Sequence, residues 1–319
     1  MFIPAMAAVL RTGVLAAWLG LGLPIHAHEG PEHEIDELTE RIKKEGESDD
    51  LLLQRAIEYK VLGNNAEAAK DLERALQFNA DSIPVQRELS RAYTALGKTN
   101  EALQTVSRAL KHAGDGADHA SLLIVRAEIF QARKEYKKGL EDADKAIQEL
   151  PGNVEWYLLR SQLHADLKQK KERVKGLEEG VRETGSGMLE GEWIDALIEN
   201  GQHKVALEKI EAEMRDSRLQ STWLIRRAKV RLATGQKDEA TSDLRAAVEE
   251  LNKRATGSSP DPLLLADRGL AYDLLGEKED AKKDYEKARE KGVNDEWLRE
   301  RLRVLKDAEE REKKKTEAK

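Results

Sequence analysis

The 319-residue chain contains no cysteine. That excludes disulfides, thiolate metal ligands, a cysteine nucleophile and a lipid-bearing cysteine after export. Proline is scarce, at seven residues, so few positions interrupt a helix. Basic charge is not in excess: Lys and Arg number 54 against 61 Asp and Glu, a net of −7. A mildly acidic chain of mixed signs lacks the footprint of a nucleic-acid binder. Beyond residue 25 no run of 18 apolar residues occurs, so no later segment reads as a membrane span. No Gly-x-Ser-x-Gly, P-loop or dinucleotide fingerprint is present. The acids offer many carboxylate pairs, but no pattern selects one, so no catalytic residue and no cofactor is assigned. What is abundant is Ala, Leu, Glu, Lys and Arg, the good helix formers.

The N-terminus carries its own signal. Residues 12–25 are uncharged and rich in Leu, Ala and Gly, with Arg11 before them and Pro24 and His26-Ala27 at the exit. This run is short of the roughly 20 residues that cross a bilayer. A positive flank, a short apolar core and a small terminal residue describe a secretory signal peptide, 1–27, cleaved after Ala27. An uncleaved anchor is the alternative. Residues 1–10 are apolar for a leading segment, and a start at Met6 would repair this. The expected location is the periplasm or the exterior. The mature chain would open His28-Glu29-Gly30-Pro31-Glu32-His33. This is no zinc-protease motif, because the histidines are five apart and Gly-Pro breaks a helix. A free amine with His28, and His33 nearby, could chelate copper or zinc. Metal handling is therefore the alternative function, and a flexible polar terminus explains the same residues. The segment His112–His119 has two His and two Asp but lacks the ligand ladder of a calcium loop.

Self-comparison exposes a repeat. Aligned units begin at 49, 83, 120, 154, 187, 221 and 262. Position 8 holds Ala56, Ser90, Ala127, Ser161, Ala228 and Gly269. Position 20 holds Ala68, Ala102, Gly139, Ala206, Ala240 and Ala281, and position 27 holds Ala75, Ala109, Ala146, Ala247 and Ala288. Small residues at these slots let two helices approach closely, and a bulky one would overpack them. Position 15 holds Gly63, Gly97, Gly201, Gly235 and Gly276, the residue a short helix–helix turn needs. Gly180 and Glu213 break the small pattern at position 27. Residues 117–119 and 255–261 read as loop insertions between units.

A period near 34 with these slots resembles the tetratricopeptide repeat family over residues 49–293, in an exported member of it. The resemblance implies an all-α, right-handed α-solenoid of about seven helix hairpins. Its units would be 49–82, 83–116, 120–153, 154–186, 187–220, 221–254 and 262–293. A segment 28–48 would hold a capping helix over about 33–45, carried by Ile35, Leu38 and Ile42. The segment 294–319 would hold a second cap, N-capped by Asn294 and carried by Trp297, Leu298, Leu302 and Leu305, with a frayed, solvated, charged helix beyond Lys306. The family's aromatic slot at position 4 is mostly aliphatic here (Leu52, Leu123, Leu224, Leu265).

Two columns vary together. Arg55, Arg126, Arg160, Arg227 and Arg268 stand at position 7, while Asp71, Asp142, Asp243 and Asp284 stand at position 23. The units without Arg, with Leu89 and Trp193, carry Thr105 and Lys209. Charges that come and go together predict an intra-hairpin bridge rather than an anion-binding row. Arg160, facing Gly176, is the exception.

The resemblance also implies a concave groove lined by the first helix of each unit, and a protein or peptide partner there. The groove positions hold Arg87 and Arg91, Glu128 and Gln131, Gln162 and Asp166, Asp195 and Glu199, and Lys229. The expected groove is basic near the second unit and acidic across the third to fifth, suited to an extended peptide with a basic centre. Leu53 and Ile57 stand where chaperone-binding relatives carry the carboxylate clamp, so capture of a chaperone tail is disfavoured.

Overall fold

A computed structural model describes residues 30–256, 260–293 and 295–317. The expected signal peptide, His28 and Asn294 lie outside the described residues. Among the described residues there are sixteen helices and no strand. A first helix, α1 (Pro31–Glu45), precedes seven hairpins. These are α2 (Asp49–Val61) with α3 (Asn65–Phe78), α4 (Ile83–Ala95) with α5 (Thr99–His112), and α6 (Ala117–Ala132) with α7 (Tyr136–Glu149). There follow α8 (Val154–Asp166) with α9 (Lys170–Thr184), α10 (Gly187–Glu199) with α11 (His203–Asp216), and α12 (Ser221–Ala233) with α13 (Lys237–Arg254). The last hairpin is α14 (Pro262–Leu275) with α15 (Lys278–Glu290), and α16 (Glu296–Glu317) closes the chain. The helices form two compact units, residues 30–189 and 190–317, divided inside α10.

The slots explain the hairpins. Ala56, Ala68, Ala75 and their counterparts Ala228, Ala240 and Ala247 are fully buried where paired helices cross. Their size is tuned against the facing residue. In the last hairpin a Cβ on Gly269 would meet the Tyr285 ring at 2.7 Å, whereas the corresponding positions of other hairpins bury Ala56 with Leu72 and Ala228 with Leu244 in one cluster each. Gly180, an irregularity in the sequence, is the same device: a Cβ there would meet the Tyr157 ring at 2.8 Å. The fourth hairpin departs further, with Arg173 buried in the position-20 slot and its Nε donating to Ser161 Oγ at 3.0 Å.

The hairpin turns share one geometry. Gly63 N–H donates to Lys60 O and Asn64 N–H to Tyr59 O, which closes the helix in a Schellman motif. Gly63 has φ 76° there. In the third and fourth hairpins the slot holds Lys134 (φ 61°) and Lys168 (φ 59°), non-glycine residues in the left-handed region.

Two expectations need correction. Residues 117–119 are the first turn of α6, not loop, because the helix starts directly after Gly116 at φ 117°. The C-terminal segment is helical to Glu317. Its Glu309 pairs with Lys282 at 2.6 Å and its Lys306 with Glu286 at 3.7 Å, which ties it to α15. The N-cap of α16 is Asp295, whose Oδ1 accepts from Leu298 N–H at 2.7 Å. Trp297, Leu298, Leu302 and Leu305 are buried, with Trp297 edge-on to Tyr285 at 5.4 Å, so α16 covers an apolar face that the last hairpin cannot bury alone. At the other end Ile35 and Leu38 of α1 are buried and Ile42 packs against the core shared by the first two hairpins.

Consecutive helices pack on one another from α1 to α9 and from α11 to α16, and first helices also meet first helices: α2 with α4, α4 with α6, α6 with α8, and α12 with α14. The second helices have no comparable mutual contact among the described residues. Each unit is therefore an α-solenoid whose first helices line the tighter, inner side.

Candidate functional site

The covarying columns form the fold's internal braces. Arg55 Nε and Nη2 donate to Asp71 at 2.7 and 2.8 Å, and Arg126 to Asp142 at 2.6 and 2.7 Å. Arg227 donates to Asp243 at 2.9 and 2.6 Å, and Arg268 to Asp284 at 2.6 and 2.7 Å. Each is a two-pronged fork on a buried carboxylate, the strong form of the bond. Arg160 turns elsewhere: Nη2 donates to Gly176 O at 3.0 Å and Glu179 at 2.7 Å, and Nη1 to Asp144 at 3.3 Å. A Cβ on Gly176 would stand 3.3 Å from that guanidinium. These arginines are structural and leave the inner faces to other side chains.

On the inner face of the N-terminal unit, exposed Ile57 and Val61 stand one turn apart on α2. Lys60 of α2 pairs with Glu88 of α4. Arg87 Nε and Arg91 Nη1 also reach Glu88, at 3.2 and 3.4 Å. Burial alone would raise the Glu88 carboxyl. The charges of Lys60, Arg91 and Arg87 and the Lys60 hydrogen bond outweigh it and bring it down to about 2. Arg91 Nε donates to Glu128 of α6 at 3.2 Å. Gln131 of α6 donates to Asp166 of α8 at 3.1 Å, and Gln162 donates to the same carboxylate at 3.5 Å.

On the inner face of the C-terminal unit, Asp195 of α10 is buried, at 4% exposure. Arg226 of α12 donates to its Oδ2 at 2.9 and 3.1 Å, and Lys229 lies 3.4 Å from its Oδ1. Burial opposes ionisation of Asp195, and the two cations overcome it, so its carboxyl sits below the usual range. Gly191 makes room for this: a Cβ there would come within 3.1 Å of Arg226 Nη2. Asp267 of α14 follows at the position that Arg226 holds on α12. Burial pushes its carboxyl up to about 6 against the pull of Arg226, Lys229 and Arg254.

The structure thus joins Arg91 with Glu128, Gln131 and Gln162 with Asp166, and Asp195 with Lys229. Arg87 reaches this network through Glu88, and Glu199 lies one turn beyond Asp195 on α10. The expected basic patch on the second hairpin is largely neutralised, because Glu88 and Glu128 face Arg87 and Arg91. Sequence reading missed Lys60, Glu88, Arg226 and Asp267. Three of these stand at position 6, a column reading Gln54, Glu88, Val125, Leu159, Glu192, Arg226 and Asp267, charged in four of seven units. Among the described residues no three His, Asp or Glu side chains group as metal ligands, and no helix is long and apolar enough to cross a membrane. His33 lies exposed on α1.

Stacked hairpins with small crossing residues, left-handed turn positions and a polar inner face define an α-helical repeat protein. Two profiles described as tetratricopeptide repeat match it, over residues 62–123 and 264–288. A tetratricopeptide repeat protein from Parabacteroides merdae superposes with TM-score 0.54 at 20% identity, covering 86% of this chain and 99% of that one. Pseudomonas aeruginosa PilF superposes with TM-score 0.50 at 16% identity, covering 67% of this chain and 92% of that one. No curated protein matches the sequence. The chain carries tetratricopeptide-repeat sequence at 62–123 and 264–288 and shares the fold of tetratricopeptide-repeat proteins.

Proposed function

We propose that this protein is an exported, non-enzymatic scaffold or adaptor that holds a peptide or protein partner on its inner helix faces. The repeat fold is one that serves protein–protein interaction. The observation that carries the finer reading is a contrast between two sets of arginines. The bracing arginines each close a two-pronged fork at 2.6–2.9 Å on an Asp. Arg87 and Arg91 make only single contacts of 3.2–3.4 Å to any one carboxylate, with about a third of each side chain open to solvent. Their unspent N–H groups, beside the exposed aliphatics Ile57 and Val61, offer a partner both hydrogen bonds and apolar area.

Export rests on the leader-like residues 1–27. The test has two arms. N-terminal sequencing of the protein recovered from the cell envelope is expected to begin at His28, and an intact Met1 or Met6 terminus would overturn cleavage. Affinity capture from that fraction is expected to lose its partner when Arg87 and Arg91 are both replaced by Glu, with helix content unchanged. Undiminished capture would overturn the assignment of this face.

A further inference from the structure

The inner face of the C-terminal unit holds one carboxyl that its neighbours leave unmet. Asp267 is half-buried, yet no described residue donates a hydrogen bond to it. The nearest cations are engaged elsewhere. From α12, Arg226 and Lys229 are both held by Asp195 of α10. From the end of α13, Arg254 lies 3.3 Å from Glu250 and donates to Ser221 at 3.2 Å. From α15, Asp284 is held by Arg268, and from α16, Arg301 is held by Asp273. A desolvated carboxyl without a donor is unfavourable, and its raised affinity for a proton is the consequence.

The surroundings specify what would meet it. Glu192, Asp195 and Glu199 stand on first helix α10 of this unit, and the cations that act on Asp267 are Arg226, Lys229 and Arg254. Leu263 lies one turn before Asp267 on α14 and is 43% exposed, a place for an aliphatic stem or neighbour.

We infer that a lysine or arginine of a peptide partner docks at Asp267 beside Leu263, and that this contact tightens as pH rises because it needs the ionised carboxylate. The inference rests on the inner faces being partner surfaces, and it names the side-chain chemistry that this face selects. By linkage, a cation that holds the ionised form draws the carboxyl back toward its ordinary range and releases a proton. A fall from about 6 to about 4 on binding corresponds to a roughly tenfold tighter complex at pH 7.5 than at pH 5.

The test uses the intact protein and two blocked peptides, one with a single lysine between two leucines and one with norleucine in its place. Dissociation constants are measured at pH 5.0 and 7.5, with shifts of the α14 amides followed by NMR. The lysine peptide is expected to bind about tenfold more tightly at pH 7.5. Neither the norleucine peptide nor an Asp267→Asn protein should show that gain. The norleucine control needs no variant, so it stands even if the variant misfolds. Lysine-peptide binding that is absent, independent of pH, or stronger at pH 5.0 overturns the inference. Such a result leaves partner capture at Arg87 and Arg91 intact, so the two readings fail separately.

Discussion

Lys209 lies over the indole of Trp193, its Nζ 3.7 Å from the ring centroid. The two residues stand sixteen apart, as each bracing Arg and Asp do. In this hairpin a cation–π contact replaces the ion pair, with Glu190 adding a bond to Lys209 at 3.2 Å. Lys209→Asp would install the residue that four other hairpins carry. It would set a carboxylate against the electron-rich ring face and beside Glu190, so a loss of about 1–2 kcal/mol is expected. Lys209→Arg is expected to stay within about 0.5 kcal/mol. Urea unfolding of both variants checks the pair.

Asp142→Ala is expected to lose about 3 kcal/mol, because it strips the Arg126 guanidinium of its only carboxylate inside the hairpin. The double variant Arg126→Leu, Asp142→Thr, which copies the Leu89 and Thr105 of the second hairpin, is expected to recover most of that loss. A double-mutant cycle measures the coupling, and additive losses would show that the fork carries none.

Lys134 and Lys168 occupy left-handed turn positions where other hairpins have glycine. A non-glycine residue there costs about 1–2 kcal/mol in the folded state, partly offset by the freedom that glycine adds to the unfolded chain. Lys134→Gly and Lys168→Gly are each expected to stabilise by up to about 1 kcal/mol, read as a higher urea midpoint at unchanged slope.

Two carboxyls give opposite pH slopes. Glu88 is held at about 2 in the fold, below its ordinary value. It stabilises above about pH 4, and this is lost as pH falls toward 2. Asp267 is raised to about 6, so its contribution is full below about pH 4 and lost as pH rises through 6. Asp267→Asn is therefore expected to raise stability at pH 7.5 by about 1–2 kcal/mol, allowing for partial exposure, and to change little at pH 4. Glu88→Gln is expected to lower stability at pH 7.5 and less at pH 2.5. Thermal melts across pH 2.5–8 separate the two slopes.

The hairpins were legible because the same physical demand recurs. Close crossings need small residues, short turns need a left-handed position, and a buried carboxylate needs its guanidinium. Each demand repeats in register, so columns reveal it. The start of α6 was missed because Ala117 and Asp118 lie beside a glycine-rich stretch, and the alignment slots begin only at Ala120. Gly180 looked irregular because its meaning lies in Tyr157, 23 residues earlier in the chain. Asp267 and Glu88 escaped for a different reason. Their role depends on which neighbours from adjacent helices are already engaged, and sequence spacing does not record that.

The central claim is that the inner helix faces, and not the outer ones, hold the partner. Photo-crosslinking tests it most directly, with p-benzoylphenylalanine placed singly at Arg91, Gln162 and Lys229 on first helices, and at Lys70, Glu101 and Lys237 on second helices. Adducts to one partner are expected from the first three positions and not from the second three. Adducts confined to Lys70, Glu101 and Lys237 would contradict the account.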